Sequence, residues 1–219
     1  MPLRKALSFQ IIAILCFLFA STTVIAEQLT HTIAHEKIPS KDIEQFPYDE
    51  HTREYPVFSG HKISALVNND IQKVVELYSC DENGMSDISV KITYQSKNIL
   101  SLNYHAHYMC DGMPRDSSST GVFNYSLLDN KKITLADIIK EDALDDFVAN
   151  ATQKINKITD DPELNELIRC KVEGPLDFYL TDTGMTVFYE AKPFGFVACN
   201  GEISYDREAL EKVLRPDFQ

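Results

Sequence analysis

Residues 176–191, LDFYLTDTGMTVFYEA, contain the clearest hairpin pattern in the chain. Two short segments rich in apolar, aromatic and β-branched residues flank a run of turn formers at 181–184. Such segments on either side of a tight turn predict two antiparallel strands. A chain built around hairpins, rather than around strand–helix–strand units, is expected to form antiparallel sheet.

Further strands are predicted on both sides of this hairpin. Upstream, apolar and polar residues alternate at 88–94 and again at 99–110, ILSLNYHAHYMC. A loop dense in turn formers follows at 111–120, and another strand is predicted at 121–128. Downstream, a short extended segment is predicted at 202–205.

Helices are predicted between and after these strands. The apolar residues from Ile63 to Tyr78 recur at steps of mostly three and four, which places them on one face of a helix. Thr134 and Asp206 are candidate N-caps of later helices, and Pro162 favours the first turn of another. Together these elements predict an α+β fold, with helices packed on antiparallel sheet in two small lobes that form one compact unit.

The composition fits a folded domain and limits its function. The chain has 219 residues, of which 44% are hydrophobic, with 8 Gly and 9 Pro, so it is not a disordered chain, a collagen or a coiled coil. Its 33 acidic residues outnumber its 21 Lys and Arg, which gives a formal net charge of −12. Because nucleic-acid binding requires Lys and Arg to neutralise phosphates, this balance argues against a general nucleic-acid-binding protein.

The first 26 residues are predicted to be a signal peptide. Arg4 and Lys5 precede an apolar run at 11–20, which is too short to cross a bilayer. Cleavage near Ala26 would leave a periplasmic or secreted protein without a membrane span, and an uncleaved anchor is the alternative. Loss of Arg4 and Lys5 leaves 19 basic against 33 acidic residues, hence a net charge of −14.

Four segments are expected along the chain. The signal peptide at 1–26 is followed by a polar, flexible lead-in at 27–45. An N-terminal lobe at 46–115 and a C-terminal lobe at 116–219 come next, divided within the turn-rich loop. The division is placed there because the second half of the chain is richer in predicted helix.

The cysteines outside the apolar run predict two disulfides. Cys80, Cys110, Cys170 and Cys199 are an even number in an exported chain, and they allow three pairings. Cys80–Cys110 with Cys170–Cys199 is favoured, because each pair then closes a local loop within one half of the chain. A zinc site is the alternative, but the chain lacks a CxxC motif and Cys–His pairs at zinc-finger spacing. We expect no metal and no cofactor.

Residues that could support catalysis are sparse. His105 and His107 would share one face of a strand, which makes at most half of a metal site, and an exposed sheet face explains them equally well. Asp177 and Glu190 are a possible carboxylate pair, but nothing in the sequence fixes their separation. We therefore expect a non-catalytic protein, with a hydrolase as the alternative.

The segment at 190–201, EAKPFGFVACNG, is predicted to be the partner-binding element. It follows a strand, presents aromatic residues and ends near a cysteine. A loop braced in this way loses less entropy when it binds a partner. The alternative is that both phenylalanines pack inward. The residues assigned to this loop are Glu190, Lys192, Pro193, Phe194 and Phe196.

Several motifs occur in an order that resembles a known arrangement. They are YPVFSG at 55–60, ILSLNYHAHY at 99–108, FNYSLLDNKKITLADII at 123–139, DFYLTDTGMTVFYEAKPFGF at 177–196 and EISYDREAL at 202–210. The series resembles the paired domains of unknown function in the extracellular part of the anti-sigma-V factor of Gram-positive bacteria. The same pair accompanies a peptidoglycan deacetylase. The resemblance covers most of residues 50–215.

The resemblance implies a two-lobed α+β module that works outside the cytoplasm. In the anti-sigma factor this module is a receptor for lysozyme, and the loop after the hairpin enters the enzyme's cleft. The matching loop here is 190–196. We expect no anti-sigma segment, membrane anchor or deacetylase domain in this chain, so neither signalling nor deacetylation carries over.

The expected function is therefore that of an exported binding protein of the cell envelope. Its expected partner is lysozyme or a related basic cell-wall hydrolase, which it would bind or inhibit. The acidic charge supports such a partner, because it would accelerate association with a cationic protein. An accessory module that binds peptidoglycan or another glycan is the alternative.

Overall fold

The computed structural model describes residues 28–39, 50–80, 84–159, 174–191 and 199–218. Over these residues the fold is α+β, with helices packed on mainly antiparallel sheets, which confirms the predicted fold class. The predicted signal peptide and the helix expected near Pro162 lie outside the described residues. No helix among the described residues is long and apolar enough to span a membrane.

The larger sheet has six strands, in the order β1-β2-β3-β4-β5-β6. Their bounds are β1 (Thr30–Pro39), β2 (Glu50–Ser59), β3 (Gly84–Gln95), β4 (Ile99–Cys110), β5 (Ser117–Ser126) and β6 (Lys131–Lys132). All neighbours are antiparallel except β2 and β3, which pair in parallel between 52–54 and 87–89. The parallel pair forms because α1 (Ser64–Tyr78) connects the two strands as a crossover.

β1 corrects the prediction of a flexible lead-in at 27–45. Thr30–Pro39 is a strand that pairs antiparallel with β2 along its length. Glu36 on β1 accepts hydrogen bonds from the Tyr55 hydroxyl at 2.7 Å and from Arg53 at 3.3 Å, both on β2. Polar residues are common on edge strands, so the polar composition of this segment did not distinguish it from a loop.

The apolar face of α1 packs on the larger sheet and forms the first core, as its spacing predicts. Val67, Ile71 and Val75 are buried there against Leu100 and Leu102 of β4 and other apolar residues. Asn68 fixes the helix to the end of β2, because its side-chain amide hydrogen-bonds both the backbone N–H of Phe58, at 2.8 Å, and its carbonyl oxygen, at 2.9 Å. The Asn68 amide thus supplies the backbone bonds that a neighbouring strand would otherwise make.

The second sheet contains the predicted hairpin and one further antiparallel strand. Its strands are β7 (Asp177–Thr181), β8 (Gly184–Ala191) and β9 (Cys199–Asp206). The helices α2 (Leu135–Ile138), α3 (Glu141–Thr159) and α4 (Arg207–Glu211) complete the fold, with a 3₁₀ turn at Pro216–Phe218. Both predicted caps are confirmed: Thr134 forms a capping box with Asp137, and the Asp206 carboxylate accepts from the Ala209 N–H at 2.8 Å.

A buried hydrogen-bonded bridge joins the two sheets. The Asn124 amide on β5 donates to the Phe178 carbonyl oxygen at 2.6 Å and accepts from the Ser101 hydroxyl at 2.5 Å. The Ser101 hydroxyl on β4 also accepts from the Leu180 N–H at 2.9 Å. This Ser101–Asn124 bridge fixes β7 against the middle of the larger sheet, and the bridging atoms are shielded from water.

The change from the first core to the second falls later than the predicted boundary between residues 115 and 116. β5 pairs with β4, and both Tyr125 and Leu127 belong to the first core. From Ile133 onward, the buried apolar residues form a separate cluster, which we call the second core. The turn-rich residues at the predicted boundary connect the paired strands β4 and β5, and a loop inside a hairpin has the same composition as a linker between lobes.

One predicted disulfide is confirmed. Cys80 and Cys110 are bonded, with their Cα atoms 5.0 Å apart, and they connect the end of α1 to the end of β4. Cys170 lies outside the described residues, and the Cys199 side chain is not described either. The Cys170–Cys199 pairing therefore stays a prediction.

Candidate functional site

The fold determines where the predicted partner-binding loop leaves the second sheet. Glu190 lies on β8 opposite Asn200 of β9, and Ala191 lies opposite Cys199. Residues 192–198, which include Lys192, Pro193, Phe194 and Phe196, lie outside the described residues. Because paired antiparallel strands lie about 5 Å apart, the two ends of this segment are held together at one end of the sheet.

The residues considered for catalysis lie on two different sheets: His105 and His107 on β4, Asp177 and Glu190 on the β7–β8 hairpin. The His107 imidazole lies 2.8 Å from the Asp116 carboxylate, and this hydrogen bond holds the pKa of Asp116 below its usual range. His105 is exposed on the same strand. Asp177 pairs with Phe188 of β8, and Glu190 follows Phe188 by two residues on the same strand. Among the described residues, no group of three or more His, Cys, Asp or Glu could hold a metal ion.

A cavity of about 410 Å³ opens beside α1 and extends to the second sheet. We call it the α1–β5 cavity. Its walls are α1, β4, β5, β6, the start of β7 and the middle of β8, and they include Asp70, Lys73, Leu77, Phe123, Lys132 and Phe188. Phe188 lies four residues before the segment at 192–198, so the cavity and the predicted loop share one end of the β7–β8 hairpin.

A buried carboxylate organises the charges of this cavity. The Asp70 side chain is only 5% exposed, and one of its oxygens accepts from the Tyr125 hydroxyl at 3.1 Å and lies 2.9 Å from the Lys132 ammonium. Its other oxygen lies 3.5 Å from the Lys73 ammonium. The two lysine side chains are 66% and 52% exposed. Asp70 therefore anchors two ammonium groups whose remaining N–H donors face water.

Sequence reasoning missed this cluster. Asp70 lies within the apolar stripe of α1, between Val67 and Val74. An acidic residue on the buried face of a helix was the sequence feature that could have indicated the cluster. Its partners Tyr125 and Lys132 are more than fifty residues away in sequence. No local spacing connects them to α1, so the cluster emerges only when β5 and β6 pair beside the helix.

Tyr125 gives the fold a dependence on alkaline pH. Burial, together with the nearby Asp70 carboxylate, raises the pKa of Tyr125 well above its ordinary value of 10.0. The hydroxyl thus stays neutral in the folded protein, whereas an unfolded chain ionises it near pH 10. Below pH 10 the neutral Tyr125 hydroxyl therefore makes its full contribution to the free energy of unfolding. As the pH rises above 10, this contribution falls by about 1.4 kcal/mol per pH unit.

This dependence is tested by urea unfolding at pH 9 and pH 11. We expect the wild type to lose more stability over this range than Tyr125→Phe, which has no hydroxyl to ionise. The stability of the variant still falls as the pH rises, because a hydrogen bond to Glu36 raises the pKa of Tyr55 and burial raises the pKa of Tyr205. Equal losses in the two proteins would show that Tyr125 ionises equally in both states.

A second cavity, of about 380 Å³, lies at the opposite end of the β7–β8 hairpin. Apolar side chains line most of it, from the β3–β4 turn, from the second sheet and from the C-terminal segment: Tyr94, Ile99, Leu180, Leu210, Leu214 and Phe218. Arg207 and Glu211 are its charged residues. It lies at the turn of the hairpin, whereas Ala191 lies at the other end of β8.

Several solved chains resemble this one, and two of them are members of a single family. A DUF3298 family protein from Pseudomonas aeruginosa superposes with a TM-score of 0.54 at 13% identity, over 88% of this chain and 96% of that one. A member of the same family from Bacteroides fragilis gives a TM-score of 0.46 at 14% identity, over 87% and 94% of the two chains. The first of these likenesses shows a shared fold.

The sequence comparisons return no relatives. No protein-family model matches the chain. No curated protein matches it either. The resemblance to the domains of the anti-sigma-V factor therefore stays a prediction from the motifs, and the shared fold is that of a protein from a family named only as a domain of unknown function.

Proposed function

We propose that this chain is an exported, non-catalytic binding protein of the cell envelope, and that it binds and inhibits lysozyme or a related basic cell-wall hydrolase. The observation that carries the proposal is the pairing of Ala191 with Cys199, which holds both ends of the segment at 192–198 on one sheet. That segment contains Phe194 and Phe196, and aromatic side chains dominate the energetics of protein interfaces. The Cys80–Cys110 disulfide supports an oxidising compartment.

The base of this segment is rigid. Met185 and Val187 of β8 are fully buried in the second core. The rings of Phe147 on α3 and Tyr205 on β9 pack together, with their centroids 5.0 Å apart. The Ser101–Asn124 bridge fixes the neighbouring strand β7 to the larger sheet. A loop carried by such a scaffold loses less conformational freedom on binding, which favours affinity.

The charge of the chain supports a basic partner. The formal net charge is −12, and the first turns of α3 expose Glu141, Asp142, Asp145 and Asp146. An acidic surface accelerates encounter with a cationic protein, and salt weakens that acceleration. Electrostatic attraction therefore adds to the association rate, while the aromatic contacts must supply most of the affinity.

The proposal is tested by inhibition of lysis. We expect the purified protein to inhibit lysozyme stoichiometrically, and the variant with Phe194→Ala and Phe196→Ala to inhibit about 1,000-fold less well, since each lost aromatic anchor costs about 2 kcal/mol. The matched control is Leu128→Ala, which removes a side chain that is 62% exposed in a different turn and should change nothing.

Two outcomes would contradict the proposal. Full inhibition by the double variant, with an unchanged circular dichroism spectrum, would remove the loop from the interface. Absence of inhibition by the wild type, together with its retention on purified cell wall, would favour the peptidoglycan-binding alternative.

A further inference from the structure

We propose that the α1–β5 cavity binds a small ligand in which a carboxylate is attached to a six-membered ring. This site is distinct from the loop at 192–198, so the inference goes beyond the proposed function and does not depend on it.

The charge arrangement indicates an anionic group. Asp70 neutralises one of the two lysines that it anchors, so Asp70, Lys73 and Lys132 together carry one net positive charge. Asp177, on the wall contributed by the second sheet, is the other acidic residue of the lining and lies outside this cluster. Each ammonium has three N–H donors and directs only part of them at Asp70, so donors from two residues remain for a ligand. Because the shared carboxylate holds both ammonium groups in place, less side-chain freedom is lost when they bind a second anion.

The apolar surface beside these charges indicates the body of the ligand. Leu77 lies at the edge of the cavity and is 71% exposed, so its side chain is accessible to a ligand. Phe123 lies beside Tyr104, with ring centroids 5.7 Å apart, and the Lys132 ammonium lies 5.3 Å from the centroid of Phe123. The cavity volume of about 410 Å³ is within the range of small-molecule sites.

The floor of the cavity is aromatic. At Gly121 of β5, an added Cβ would lie within 2.5 Å of three atoms of the Tyr104 ring, so this ring packs directly on the strand backbone. The Tyr104 and Phe123 rings lie side by side here, with their planes inclined by 32°. A six-membered ring presents a broad face that can contact these aromatic side chains.

Asp177 makes the charge argument testable. It lies at the start of β7, on the wall of the cavity contributed by the second sheet. Its carboxylate would repel the carboxylate of the ligand. Removing the Asp177 charge should therefore strengthen binding, whereas removing a lysine charge should weaken it.

The experiment is an NMR titration of the full chain with two pairs of probes. D-glucuronate and D-glucose form one pair, benzoate and benzyl alcohol the other, and the members of each pair differ mainly in the carboxylate. We expect at least one acid to bind in the millimolar range with shifts at residues of the cavity, and its neutral counterpart not to bind. The pair that responds tells whether the ring is a sugar or an aromatic ring.

Charge variants complete the test. For the acid that binds, Lys73→Met should weaken binding about tenfold, because a hydrogen bond to a charged group is lost. Asp177→Asn should strengthen it, and Lys97→Met, at an exposed lysine that does not line the cavity, should leave it unchanged. Lys73 is mostly exposed, so its loss should not unfold the protein.

The proposal would be overturned if neither acid bound, or if the neutral probes bound as tightly as the acids. Weaker binding to Asp177→Asn than to the wild type would overturn it as well.

Discussion

Asn124→Ala is expected to lower the free energy of unfolding by about 3 kcal/mol. The substitution removes the donor that the buried Phe178 carbonyl uses at 2.6 Å and the acceptor that the Ser101 hydroxyl uses at 2.5 Å. Two buried polar groups then lack their partners, and each costs about 1–3 kcal/mol when left unsatisfied. Urea unfolding measures the loss.

The matched control is Asn103→Ala, which removes a half-buried asparagine of β4 that takes no part in the bridge. We expect it to change stability by less than about 1 kcal/mol. The double variant Ser101→Ala with Asn124→Ala should lose less than the sum of the two single losses, because the two side chains share a hydrogen bond. Strict additivity, or a loss at Asn124 no larger than at Asn103, would contradict a bridge that joins the sheets.

The variant with Cys80→Ser and Cys110→Ser is expected to lose about 3 kcal/mol of stability. The disulfide closes a loop with a sequence separation of 30, and loops of this size restrict the unfolded chain by about that amount. It also joins the end of α1 to β4, so its loss should loosen the wall of the α1–β5 cavity. Urea unfolding of the oxidised proteins measures the difference.

The control for the disulfide is the corresponding serine variant of Cys170 and Cys199, which leaves Cys80–Cys110 intact. Dithiothreitol should lower the stability of this control by about the same 3 kcal/mol. If the serine variant at Cys80 and Cys110 unfolded at the same urea concentration as the wild type, the disulfide would contribute nothing to stability.

Local patterns were sufficient to predict several elements of the fold. The face of α1 was readable because burial of a helix repeats every three to four residues, and Val67, Ile71 and Val75 follow that spacing. The β7–β8 hairpin was readable because its strands and turn are adjacent in sequence. Both caps at Thr134 and Asp206 depend on residues within three positions.

Features that depend on distant partners could not be predicted in this way. β1 has a polar sequence, and it is a strand because it pairs with β2 along its length, where Tyr55 and Arg53 also hydrogen-bond Glu36. The parallel pairing of β2 and β3 requires α1 to cross over first, which no strand pattern records. Asp70 becomes the centre of a charge cluster only because β6 brings Lys132 beside it.

The most direct test of the proposed function is calorimetric titration of the oxidised protein with a c-type lysozyme at low and at moderate salt. We predict stoichiometric binding that persists at moderate salt, because contacts made by desolvated aromatic side chains are not screened. Binding that disappears at moderate salt would reflect charge attraction alone, and it would contradict a specific interface at the loop between β8 and β9.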